Sequence, residues 1–148
     1  MTVNNGQPRH WIAVASRAHV QRGLSGGFMQ VCHGKAAPLR RLQPGDRVAY
    51  YSPSEQMSGR EPLRLFTAWG EVCEGEPYQF EMAPDFVPWR RDVDWQPAQE
   101  ASILPLLPAL EFVRGHKSWG APLRWGLLPI SGPDGELIAQ AMGVDLRR

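Results

Sequence analysis

Short apolar runs broken by glycine and proline, rather than long amphipathic stretches, organise this sequence. His10-Trp-Ile-Ala-Val-Ala-Ser16 is continuously apolar between its polar ends, the pattern of a strand covered on both faces. Ser16 then suits the cap of a helix over 17–24, where Val20 and Leu24 share one face and Gly23, Gly26 and Gly27 bring the helix to its end. Residues 28–33 are again apolar and predict an extended segment. Pro38 fits the first position of one helical turn carrying Leu39 and Leu42, and Pro44-Gly45-Asp46 turns the chain. Strands are predicted at 48–52 and 65–72. The polar loop 53–62 between them has no periodicity and is the segment expected to move most.

After the turn 74–77 and a short extended piece at 78–80, Trp89-Arg-Arg-Asp-Val-Asp-Trp95 alternates with period two. That puts Trp89, Arg91, Val93 and Trp95 on one face and Arg90, Asp92 and Asp94 on the other. Arg91 thus shares a face with aromatic rings and is expected to lie against them. Two prolines limit 102–110 to short helical turns anchored by Ile103, Leu106, Leu107 and Leu110. Residues 123–130 predict a further strand bent at Gly126 and Pro129. Ser131-Gly-Pro-Asp134 opens a closing helix in which Leu137, Ile138, Ala141 and Met142 fall on one face. About six short strands with brief helices at the ends predict an α+β fold, a partly open β-barrel with short flanking helices.

A length of 148 residues suits one domain with its own core. Residues 1–9 are expected to form a flexible tail. The apolar runs fall far short of the ~20 residues that cross a bilayer. The amino-terminal segment has neither the basic start nor the apolar stretch of a signal peptide, so a cytoplasmic location is expected. Net charge is only +1, which argues against strong sequence-blind phosphate binding. The cations are unusual in kind, 14 Arg against 2 Lys, and Arg grips phosphate bidentately and stacks on flat rings.

Cys32 and Cys73 are far apart, and the four histidines, His10, His19, His33 and His116, are scattered. No metal or other cofactor is expected from such spacing. Both cysteines read as buried small hydrophobes. Cys32 and His33, if neighbours on a strand, point to opposite faces and make no thiol–imidazole pair. Without a nucleophile elbow or a phosphate-binding glycine loop, the chain does not read as an enzyme. The stretch His33-Gly-Lys-Ala-Ala-Pro-Leu-Arg-Arg41 sets a glycine, a flexible cation and two arginines beside a strand ending in Tyr50-Tyr51-Ser52. This combination favours an anionic, flat-ringed ligand.

From Trp11 to Met142 the order of motifs resembles the EVE domain, a PUA-like family related to the YTH readers of methylated RNA. The resemblance rests on Trp-Ile-Ala-Val-Ala-Ser at the first strand and Gly-Gly-Phe-Met-Gln-Val-Cys-His-Gly-Lys-Ala-Ala-Pro-Leu-Arg-Arg after it. Pro-Gly-Asp, Tyr-Tyr-Ser-Pro, Phe66-Thr-Ala-Trp-Gly-Glu-Val, Pro88-Trp-Arg-Arg-Asp-Val, Trp119-Gly and Leu123-Arg-Trp-Gly follow in turn. It implies a PUA-like barrel with a pocket for a modified base drawn out of nucleic acid. Where the commoner branch of the family carries an Asn-Tyr-Gln-like triplet, this chain has His33, Gly34 and Lys35.

Such a pocket needs flat walls, groups that read a base edge, and cations for phosphates. Trp89 with Trp11 or Tyr51 is assigned to the walls. Ser16, Ser52 and the backbone around His33 and Gly34 are assigned to the edge. Lys35, Arg90 and the more exposed of Arg40 and Arg41 are assigned to phosphates, with Arg91 alongside. Against this, most tryptophans of a small domain pack its core, Trp69 and Trp125 first among them, and Ser16 serves equally well as a helix cap. The expected partner is nucleic acid with a modified, methylated base, DNA or RNA, with neither membrane nor metal involved. A small-molecule or protein-interaction module using the same cleft is the alternative, and a hydrolase the weakest reading.

Overall fold

In the computed structural model, residues 7–57, 59 and 61–146 are described. The expected tail lies mostly outside them. Within it, Arg9 is already tied down, its backbone N–H donating to Asp46 Oδ1 at 3.1 Å.

The chain runs β1 (His10–Val14), α1 (Arg17–Gly26), β2 (Phe28–Met29), a 3₁₀ turn at Cys32–Gly34, α2 (Ala36–Leu39), β3 (Arg47–Ser54) and β4 (Pro62–Val72). It continues through β5 (Tyr78–Gln79), β6 (Trp89–Trp95), β7 (Ala101–Ser102), 3₁₀ turns at Leu104–Leu106 and Ala121–Trp125, β8 (Leu127–Ile130) and α3 (Gly132–Ala141). Six strands form one curled sheet in the order β2-β6-β4-β3-β1-β8, with β5 added to β6 and β7 to β4. This is a half-barrel of α+β type. β1 pairs parallel with β3 and antiparallel with β8. With a neighbour at each edge and a covered face on each side, it must be apolar throughout.

Alternation sends successive residues of one strand into two cores. Trp11, Val48 and Tyr50 join the cluster under α1 and α2, with Val20, Leu39 and Val93. Ile12, Ala49 and Tyr51 join the other, with Phe66, Trp69, Ile103 and Ile138. The β3–β4 register slips between Tyr50 and Tyr51, and such bulges increase local twist and help a sheet to curl. Inside the bend the Ser52 and Thr67 hydroxyls bond at 2.8 Å.

Two buried carboxylates fasten the connections. Asp46 accepts from the Arg9 and Gln43 backbone N–H groups and, at 2.9 Å, from the Trp11 indole. Asp134, in the first turn of α3, accepts from the Glu111 and Phe112 N–H groups at 2.7 and 2.9 Å. Ser16 caps α1, its Oγ accepting from His19 N–H at 3.3 Å.

Four expectations are corrected. The 28–33 strand stops at Met29, and the chain winds into a 3₁₀ turn. The 123–130 strand begins only at Leu127, because Gly126 adopts φ 81° and ends a preceding 3₁₀ turn. That displacement leaves Trp125, expected in the core, 65% exposed. Both cysteines are half-buried rather than enclosed. Among the described residues no helix is long and apolar enough to cross a membrane.

Candidate functional site

A half-open cavity of about 690 Å³ lies where β1 hands over to α1. Val14, Ala15 and Ser16 form its floor, His19 and Arg22 of α1 one wall, and residues 30–35 a second. Leu123, Arg124, Trp125 and Gly126 close a third side, while Met57, Met82 and Phe86 stand at the mouth. Met82 and Phe86 belong to a hairpin arm between β5 and β6. The arm is held by Phe80 N–H donating to the Pro88 carbonyl at 3.0 Å and Met82 N–H to the Phe86 carbonyl at 3.0 Å.

The second wall is strained. Cys32 and His33 have φ of 51° and 60° and Gly34 of 81°, so two residues with side chains occupy left-handed backbone, at about 1–2 kcal/mol each. The surroundings impose this conformation. A Cβ on residue 34 would stand 2.4 Å from Pro88 Cβ, so only glycine lets the turn seat against the start of β6. At its other end Cys32 Sγ–H donates to the Trp125 carbonyl at 3.6 Å. The turn therefore joins the Trp125 side of the cavity to the arm side.

Behind the turn, Gln30 is held from both directions. Its N–H donates to the Tyr50 hydroxyl at 3.1 Å, and that hydroxyl donates to its carbonyl at 2.8 Å. His19 Nε2 lies 3.3 Å from the same carbonyl. A carbonyl only accepts, so Nε2 carries the proton and Nδ1 is left as an acceptor. Burial, reinforced by Arg22, lowers the His19 pKa and favours this neutral form.

The charged side chains of the lining are cationic. Arg22, Lys35 and Arg124 face the cavity, and no Asp or Glu lines it among the described residues, although the chain has 15 acids. Residues 1–45, which supply most of the walls, contain no acid at all. Burial pushes the Cys32 thiol up more strongly than Lys35 and Arg41 lower it. The group is a neutral thiol, not a thiolate nucleophile. No cluster of three or more His, Cys, Asp or Glu able to hold a metal occurs among the described residues.

Of the residues singled out in sequence, Ser16, His33, Gly34 and Lys35 meet at this cavity. The others do not line it. Trp11 and Tyr51 are buried in opposite cores, Trp11 with its indole N–H committed to Asp46. Ser52 is buried and bonded to Thr67. Trp89 packs against the first core with the Arg40 guanidinium 5.5 Å from its ring centre. Arg91 is buried and donates to the Leu42 and Cys73 carbonyls at 3.1 and 3.2 Å, instead of lying against Trp rings.

Arg90, assigned to phosphates, is enclosed. Its guanidinium sits 3.6 Å from the Phe28 ring centre and 4.1 Å from that of Phe80, with Nε donating to Gln30 Oε1 at 3.3 Å. It clamps the arm to the sheet, a positioning role. His19, Arg22, Gln30, Phe86, Arg124 and Trp125 were not assigned to the site from the sequence. The acid-free first 45 residues are the signal that points to their side of the molecule.

A family profile described as the EVE domain matches residues 9–141. The chain belongs to the EVE domain family. A UPF0310 protein of Mesorhizobium japonicum is 54% identical over 90% of this chain and 91% of its own length. The UPF0310 protein YdcG of Bacillus subtilis is 44% identical, over 93% and 94%. A crystal structure of a protein from Agrobacterium tumefaciens matches this EVE domain with a TM-score of 0.55 at 15% identity, over 92% of this chain and 94% of that one. A hypothetical protein from Leishmania major matches with a TM-score of 0.53 at 14% identity, over 90% and 94%. These structures share the fold, the PUA-like half-barrel, and a PUA-like domain is consistent with a binding module.

Proposed function

We propose that this EVE domain is a nucleic-acid-binding module that takes one modified base, a methylated one, into the cavity beside α1 without reacting with it. The observation that carries the reading is a cavity with Arg22, Lys35 and Arg124 in its lining and no carboxylate. Its volume of about 690 Å³ falls within the usual range for organic ligands. Apolar contact comes from Phe86 and Met82, in place of the walls expected from sequence. His19 Nδ1, the Ser16 hydroxyl and backbone groups of the 32–34 turn supply both acceptors and donors for a base edge. The three cations meet the phosphates on either side.

A non-enzymatic role is supported by the lining itself. The Cys32 thiol is raised rather than activated, the His19 proton is engaged with a carbonyl, and no carboxylate lines the cavity to serve as general base. A cytoplasmic location fits a reader of nucleic acid. The same cavity is large enough for a free anionic heterocycle, which makes a small-ligand module the second reading.

Titration with 15-nucleotide DNA and RNA strands carrying one central 5-methylcytosine or N6-methyladenine, with their unmodified parents and the free mononucleotides, tests this at two salt concentrations. The expected result is tighter binding of one modified strand and an affinity that falls with salt along a slope of a few ions. Binding of mononucleotides as tight as that of strands supports the small-ligand reading. Equal affinity for every modified strand and its parent rejects base selection.

A further inference from the structure

Charge is distributed unevenly around the cavity. Arg22 of α1, Lys35 beside the 32–34 turn and Arg124 of the Ala121–Trp125 turn are lining residues and exposed. Residues 71–94, which include the arm, carry seven carboxylates, all exposed, and two cations, Arg90 and Arg91, both buried. Glu81 and Asp85 lie on the same arm that brings Met82 and Phe86 to the mouth. The cavity thus has a cationic shelf, Arg22, Lys35 and Arg124, in its lining and two exposed carboxylates on the arm.

Trp125 adjoins this shelf. Its ring is 65% exposed, next to Arg124 and at the lip of the cavity. The fold uses its backbone, whose carbonyl accepts from Cys32. A large flat ring left in water beside a ligand cavity and a guanidinium is the arrangement that stacks bases of a single strand. A duplex opened at one base keeps two phosphate backbones flanking the site, and one of them would run along Glu81 and Asp85. A single strand can stay on the shelf.

We infer that the partner is single-stranded nucleic acid, with the base next to the pocketed one stacked on Trp125, and that the acidic arm disfavours a complementary strand. This deepens the proposed function and rests on it.

The test compares the full chain with Trp125→Ala and with the double variant Glu81→Lys/Asp85→Lys. Probes are a 15-nucleotide single strand with one central 5-methylcytosine or N6-methyladenine and the same strand annealed to its complement, with circular dichroism to show that each variant is folded. The parent is expected to favour single strands by about tenfold or more. Trp125→Ala should lose about tenfold on single strands, matching a lost base stack. The charge reversal should raise duplex affinity more than single-strand affinity. A parent that binds duplex as well as single strand, or a folded Trp125→Ala that binds single strands undiminished, overturns the inference while the pocket reading stands. A parent that binds no probe in either form overturns both.

Discussion

Gly126 and Cys32 are in such close contact that residue 126 has no room for a side chain: a Cβ there would lie 2.7 Å from Cys32 Sγ. The backbone at 126 also holds φ 81°. Gly126→Ala is therefore expected to cost about 1–3 kcal/mol from backbone strain alone, and more from the contact. Cys32→Ala should restore only the contact part. Urea unfolding of the two single variants and the double gives the coupling, and additivity within about 0.5 kcal/mol would show that Sγ does not limit residue 126.

Cations that look alike in the sequence should separate by assay. Arg90→Ala removes a guanidinium held between two rings and is expected to lower stability by about 2 kcal/mol or more. Its effect on the salt dependence of oligonucleotide binding should be small. Lys35→Ala and Arg124→Ala, both at exposed positions, should change stability by less than about 0.5 kcal/mol. Each should reduce the salt slope by about one ion. An Arg90 variant of normal stability with a reduced slope would return that residue to the phosphate contacts.

Acid should weaken the fold through His10 and His19. Burial depresses the pKa of both His10 and His19, with Arg47 and Arg22 respectively adding to it. Unfolded histidine binds its proton near pH 6.5 and the folded groups bind theirs lower, so the unfolded chain takes up more protons in that interval. Stability is therefore full above about pH 6.5 and declines as pH falls toward the depressed values. Thermal midpoints at pH 7.5 and 5.5 are expected to differ, and by less in His19→Gln. A midpoint that is flat over this range would contradict buried, neutral histidines.

The Cys32 thiol should be a slow nucleophile. In a Cys73→Ser background, iodoacetamide at pH 7 is expected to label it more slowly than free cysteine, because the raised pKa leaves little thiolate. The adduct should then block the cavity, read as lost oligonucleotide binding. Labelling faster than free cysteine would reopen a catalytic reading.

The strands and the three helices were legible wherever periodicity reports burial. β1 was identifiable by its uninterrupted apolar run and β6 by its alternation, and Ser16 marked the α1 cap. The failures have a common cause. An apolar run shows that a segment is wanted by a core, not that its backbone is extended, so 28–33 and 123–130 read as strands although Gly34 and Gly126 turn them. Period two correctly put Arg90 and Arg91 on opposite faces of β6, but said nothing of what covers each face. Both faces are covered at this point of the strand, and both guanidiniums are buried. Trp11, assigned to the walls from sequence, is held in the core by a bond from its indole to Asp46, 35 residues away, which periodicity does not report. The site was half legible, through Ser16 and residues 33–35, because its remaining walls come from a hairpin arm and a 3₁₀ turn that meet only in three dimensions.

β1 and β3 form the one parallel pairing among the described strands. Parallel neighbours cannot be joined by a tight turn, so residues 15–46 must travel the length of the sheet to return. That return path is what builds the floor and two walls of the cavity. The hollow is thus a by-product of strand order, present before any particular side chain is chosen to line it. Substitutions along the return path can retune what the cavity holds while the hydrogen-bonded sheet stays unchanged. A lineage with this topology can change ligands without inventing a new pocket.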